Sequence, residues 1–168
     1  MIKDVFQNFN FFADGRGYAG RIEEFTPPKI VAKMIEYDGG GLGAVVDVPS
    51  GSFEKLEAEA TIKAQDKDIF TLLGVVPGNT YAFTAKGALA DANGTRHAVQ
   101  HKMRAHIAEL DPGTWKKNDS AEIKLKLTLH YYQYEYDGVE LVEIDPINMI
   151  AKINGVDQLA ETRKAIGL

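Results

Sequence analysis

The pattern with the plainest chemical meaning is Gly15-Arg16-Gly17-Tyr18-Ala19-Gly20, a literal GxGxxG. A dinucleotide site needs that run to close a strand and open a helix, because the pyrophosphate sits on the helix N-terminus. Here Pro27 and Pro28 follow closely, and residues 22–25 show no helical face. The run therefore predicts a glycine-rich hairpin. Gly39 to Gly43 lacks the Gly-Lys-Ser/Thr of a phosphate loop and predicts a mobile loop. The four histidines are His97, His101, His106 and His130. His97 and His101 share strand parity but lie about 13 Å apart along a strand, too far for one metal ion. They are expected to be exposed or paired. Glu23-Glu24 and Glu57/Glu59 read as solvated faces, not as two carboxylates held in one catalytic pocket. No GxSxG and no Ser-His-Asp grouping stands out. Asn93-Gly94-Thr95 and Asn118-Asp119-Ser120 match the glycosylation pattern but read better as turns. The run Tyr131, Tyr132, Tyr134 and Tyr136 could stack sugars or bases, yet tyrosine is also frequent in strands and interfaces. With Trp115, the lone tryptophan, these tyrosines are expected to be packing or interface anchors. No catalytic residue, cofactor or metal is expected.

The elements that would position such residues are mostly strands. The chain has 168 residues, which suggests one domain over 1–168 and needs no disulfide or metal to build a core. It has no cysteine, which fits assembly in a reducing compartment. Net charge is −5, with 24 acidic and 19 basic residues mixed along the chain, so no basic stripe proposes tight nucleic-acid binding. Residues 1–12 lack the apolar run and cleavage site of a secretory signal, and no stretch is long and apolar enough to span a membrane.

Apolar residues recur with a period of two. Residues 53–64 place Leu56, Ala58, Ala60, Ile62 and Ala64 opposite Lys55, Glu57, Glu59, Thr61 and Lys63. Tyr81, Phe83, Ala85 and Leu89 form a second set, and Val99, Met103 and Ile107 a third. The longest run, 120–136, sets Ile123, Leu125, Leu127, Leu129 and Tyr131 against Glu122, Lys124, Lys126, Thr128 and His130. These predict half-buried antiparallel strands. Turns are expected at Asp14-Gly15, Asn93-Gly94, Asp111-Pro112-Gly113 and Asp137-Gly138, with a return strand over 140–145. Residues 66–73 predict a short helix. Residues 157–166, acidic first and basic late, predict a C-terminal helix. A strand of 17 residues would span roughly 50 Å. Alone it would expose a long unpaired edge, which pairing with neighbouring copies would close.

The C-terminal residues carry a resemblance. Glu140-Leu141-Val142-Glu143-Ile144-Asp145-Pro146-Ile147-Asn148-Met149-Ile150, then residues 153–159 and the terminal Ile166-Gly167-Leu168, closely resemble the major tail tube proteins of P2-like contractile-tailed phages. They also resemble the tube proteins of R-type bacteriocins. The likeness extends through residues 109–116 and Ala121-Glu122. Weaker matches lie at Asn10, Phe12, Asp14-Gly15, Gly20, Pro28-Lys29, Glu36-Tyr37 and Gly39-Gly40. Asp38 stands where the family often has Arg, and Leu42 where Met is common. Residues 51–101 match mainly in strand pattern.

The resemblance implies an antiparallel β-sandwich or barrel subunit with a short internal helix and a C-terminal helix. It implies a homo-hexameric ring with one continuous inner β-barrel, stacked into a tube inside a contractile sheath. Sheath contraction would drive the tube through a target envelope. Its implied partners are the tail sheath protein, the tape measure protein, and the baseplate and tail terminator proteins, with DNA in the lumen only for a complete phage. The particle would be a virion tail or an extracellular phage-tail-like particle, assembled in the bacterial cytoplasm. On that reading the lumen candidates are Glu57, Glu59, Thr61, Lys63, Lys102, Arg104, Glu122, Lys124 and Lys126. The inter-ring candidates are Tyr37, Asp38, Leu42, Val45, Val46 and Phe53. Two alternatives stand beside it: a hexameric tube of a related secretion system, and a monomeric sugar-binding β-sandwich using the tyrosine run.

Overall fold

The computed structural model describes residues 1–168. It is built mainly from antiparallel strands: β1 (Val5–Ala13), β2 (Arg16–Gly17), β3 (Ile22–Thr26), β4 (Ala32–Tyr37), β5 (Val46–Phe53), β6 (Glu57–Ile62), β7 (Tyr81–Ala90), β8 (Arg96–Asp111), β9 (Ile123–Tyr136), β10 (Val139–Asp145), β11 (Ile150–Ile153) and β12 (Val156–Asp157). Two short helices interrupt them, α1 (Lys67–Phe70) and α2 (Ala160–Ala165). One sheet runs β12-β11-β10-β9-β8-β7-β1-β2. Strand β9 branches it. Residues 123–128 of β9 pair with β6, which pairs with β3, while residues 132–136 of β9 pair with β10. The sheet curls until β3 lies over β1 and β8. Phe25 meets Phe11 at 5.6 Å and His101 at 5.8 Å between ring centroids. Side chains rather than backbone hydrogen bonds close that seam. Strands β4 and β5 form a separate two-stranded sheet.

The core sits inside the curl. Phe11, Leu56, Ala58, Ile62, Ile69, Phe83, Met103, Ile107, Leu125, Leu127 and Tyr132 belong to one buried cluster. The alternation placed all of these on a core face except Phe11, Ile69 and Tyr132. The run predicted over 53–64 is interrupted, however. Phe53 closes β5 and β6 opens at Glu57, and in between the Leu56 carbonyl accepts from Leu129 N.

Two long strands cannot stay regular around so tight a curve. Register shifts in the β8–β9 ladder leave one residue unpaired on each strand, His130 on β9 and Ala108 on β8. Each bulge reverses the parity beyond it. Tyr131 therefore does not share the core face of Ile123 to Leu129, as the alternation predicts. Tyr132 is buried in its place and Tyr134 packs against the core. Tyr131, Gln133 and Glu135 fall on the opposite face.

The turns follow their sequences. Asp137 and Gly138 have φ of 49° and 79°, which a two-residue hairpin of this twist requires. Asn154 and Gly155 repeat that geometry between β11 and β12, at 52° and 79°. The GxGxxG run is a hairpin turn and a following loop, with no helix. Its Tyr18 is buried beneath the Arg21 guanidinium, 4.7 Å from the ring centroid. Helix α1 forms where predicted but is a single turn, capped by Asp66, which accepts from Asp68 N at 2.8 Å. Helix α2 begins at Ala160, later than predicted. Asp157 ends β12, where its carboxylate accepts from Ala151 N and Leu159 N and pairs with Arg163 at 2.9 Å.

Candidate functional site

No single cleft gathers the chemistry-bearing side chains; the polar face of the curled sheet does. Opposite the core, β6, β9 and β8 place Glu59, Lys126 and Glu109 in one cross-strand row. Thr61, Lys124 and Asp111 form the next. Glu57, Thr128 and His106 form a third, and Lys102 sits opposite Gln133. The charges neutralise each other locally. Lys126 lies 3.6 Å from Glu57, Lys124 3.6 Å from Glu122 and Lys102 3.9 Å from Glu135. Lys55 and Lys126 hold the Glu57 carboxyl below its usual range, the Lys55 hydrogen bond most strongly. Beyond the strand end, Lys63 lies 3.6 Å from Glu23. Arg104 faces Tyr131 across the ladder. All nine sequence-predicted polar candidates thus lie on or beside this face.

Glu109, Glu135, Glu140 and Glu143 join it without having been among those candidates. The bulges are why, since simple alternation assigns Glu109 and Glu135 to the core side. Glu140 accepts from Gln133 at 2.8 Å. Burial first, then neighbouring Glu140, pushes the Glu143 carboxyl up. Burial and this acidic group push the Tyr131 phenol up to about 12. His106 and His130 pack edge to face on the same side, 4.7 Å between centroids. Acid and base alternate along this face, so it presents no uniform field of either sign.

The second feature is the β4–β5 hairpin. Its register sets Tyr37 opposite Val46 and Ile35 opposite Val48. These four side chains make one apolar face, 44–58% exposed, backed by Glu36 opposite Asp47. Of the inter-ring candidates, Tyr37 and Val46 are on that face. Asp38, Leu42 and Val45 are in the loop that joins its strands. Phe53 is different: it packs against the main core and anchors the hairpin's base. Ile35 and Val48 were missed, although their alternation is visible in the sequence.

The remaining aromatic candidates divide. Tyr132 and Tyr134 are packing residues, so the tyrosine run is no open stacking platform. Tyr132 Oη and His101 Nδ1 share a hydrogen bond of 2.7 Å, and Tyr134 stacks on His101 at 4.7 Å. Burial pushes the His101 imidazole down to about 4. Trp115 is 85% exposed, too open to anchor the packing of the subunit itself. At the far end of the sheet, a carboxylate oxygen of Asp4, one of Asp91 and a ring nitrogen of His97 lie within 4.8 Å of one another.

Comparison with known proteins covers nearly the whole chain. The family described as phage tail tube protein FII matches residues 3–167. The chain is 34% identical over 162 residues to the tail tube protein of Escherichia phage P2, covering 95% of this chain and 94% of that one. It is 28% identical over 148 residues to the major tail tube protein of Serratia phage KSP20, covering 88% and 85%. In fold it resembles a chain of the sheath–tube complex of an extracellular contractile injection system in its extended state. There the TM-score is 0.59 at 14% identity, over 76% of this chain and 88% of that one.

Proposed function

Because the chain belongs to the phage tail tube protein FII family, we propose that it is a structural protein that polymerises as stacked hexameric rings into the inner tube of a contractile tail or tail-like particle. It performs no catalysis, and its work is assembly and passive conduction. The single observation that carries the assembly is the hairpin. A two-stranded hairpin is marginal in water by itself, and this one leaves Ile35, Tyr37, Val46 and Val48 uncovered. A second copy of the chain, in the adjacent ring, is the occupant that resolves the exposure. A stable interface of this type buries on the order of 2,000 Å².

The polar face of β6, β9 and β8 supplies the lumen. Its alternating acid and base rows suit a conduit, because a basic wall would hold DNA through its phosphates. The tail sheath protein surrounds the tube, and the tape measure, baseplate and tail terminator proteins meet its interior and ends. DNA passes only where the particle is a complete phage.

Negative-stain electron microscopy over a protein concentration series tests the reading. Hollow rings or stacked tubes with six-fold end views are expected. A monomer at every concentration that binds a sugar tightly would sink it.

A further inference from the structure

The segment before β1 is held to the ends of two hairpins by one imidazole. His97 Nε2 lies 3.2 Å from Asp91 Oδ2, in the turn between β7 and β8. His97 Nδ1 lies 2.7 Å from Asp137 Oδ2, in the turn between β9 and β10. Both carboxylates are tied on their far side as well. Asp91 Oδ1 accepts from Asp4 N at 3.1 Å, and Asp137 Oδ1 accepts from Ala98 N at 2.8 Å. The Tyr136 ring lies against His97 at 5.4 Å, and its hydroxyl donates to Asp4 at 2.8 Å. Ala92 N donates to Ile2 O at 3.0 Å and completes the join.

An ionised carboxylate only accepts, and a neutral imidazole carries one N–H. Both bonds therefore require the imidazolium. We propose that protonated His97 is a latch that fastens residues 2–4 and the two hairpin turns into one unit, and that losing its proton releases them. On deprotonation one nitrogen turns its lone pair toward a carboxylate, and either Asp91 or Asp137 loses its partner.

The groups around the ring agree in sign. Asp137 and Asp91 raise the His97 imidazole above its ordinary value, and His97 in turn helps lower both carboxyls. Lys3, on the fastened segment, also favours ionised Asp91. The Tyr136 phenol is pushed up to about 12 by its bond to Asp4, so it stays a donor. The latch is thus closed between the lowered carboxyl values and the raised histidine value. It opens as pH rises through the latter.

The test follows the His97 ring nitrogens by NMR and the hydrogen-exchange protection of the Asp4, Ala92 and Ala98 amides from pH 6 to 9. Full-length protein is used, with magic-angle spinning spectra for assembled tubes. The expected result is one step: the ring loses its proton above the pH of a free imidazole, and protection at the three amides falls in the same step. His97→Gln should show low protection without a step. Asp137→Asn keeps the side-chain shape, and it should move the step to lower pH even if the His97 variant fails to fold. A ring that is neutral throughout, or protection that persists after the ring deprotonates, overturns the latch. The latch belongs to the folded subunit, so its failure leaves the tube reading standing.

Discussion

At the residue scale the informative side chains are those whose surroundings conflict with their chemistry. His101 is half-buried among Tyr132, Tyr134 and Phe25, with no carboxylate beside it. Its folded value of about 4 lies below the ordinary 6.5. A depressed histidine contributes stability that is present above the unfolded value and lost as pH falls through the folded one. Urea midpoints should therefore decline between pH 6.5 and about 4. His101→Gln should remove part of that slope, whatever it does to absolute stability; an unchanged slope would refute the assignment. The neutral, buried imidazole was not legible in the sequence, because its environment is assembled from three separate strands.

At the scale of elements, β9 and the β4–β5 hairpin decide most. The bulge at His130 lets one strand serve two partners, β6 before it and β10 after it. Deleting His130 should move Gln133 and Glu135 to the core side and Tyr132 and Tyr134 out. Burial of an unpaired charge or polar group costs several kcal/mol or forces unfolding. His130→Ala keeps the residue count and should cost about 1 kcal/mol or less. Equal urea midpoints for the two variants would show that the bulge is dispensable. The hairpin gives a cleaner assembly test. Ile35→Asp with Val48→Asp should leave the circular dichroism and thermal midpoint of the subunit near those of the parent, since neither residue touches the main core. It should nevertheless abolish tubes in electron micrographs. Tubes of normal length from the double variant would remove the hairpin from the interface.

At the scale of the whole molecule, the curl separates an apolar interior from a face where acid and base alternate. In the proposed tube that balance keeps the lumen from gripping its cargo. Glu59→Lys with Glu109→Lys would make the row through Lys126 uniformly positive. Assembled tubes of this variant should bind labelled DNA at low salt and release it as salt rises, following counterion release. The parent should bind little, and a variant that gains no salt-dependent binding would place this row away from the lumen.

By itself the sequence determined the element types, the main core and the turns. The alternation through Phe83, Met103, Ile107, Leu125 and Leu127 is a local signal, as are Asn93-Gly94 and Asp137-Gly138. Local steric preferences and the two-residue strand period suffice for them. It also carried, through the C-terminal block, the family. Only the tertiary structure decided where that period breaks. The bulges at Ala108 and His130 arise from bending two long strands around a shared core, and no residue type at either position announces them. Everything past each bulge changes face, including Glu109, Tyr131, Tyr132, Gln133 and Glu135. The His97 latch was hidden for a related reason. Asp91 and His97 share one hairpin, but Asp4 and Asp137 are far from them in the chain, and the four meet only because three strand ends converge.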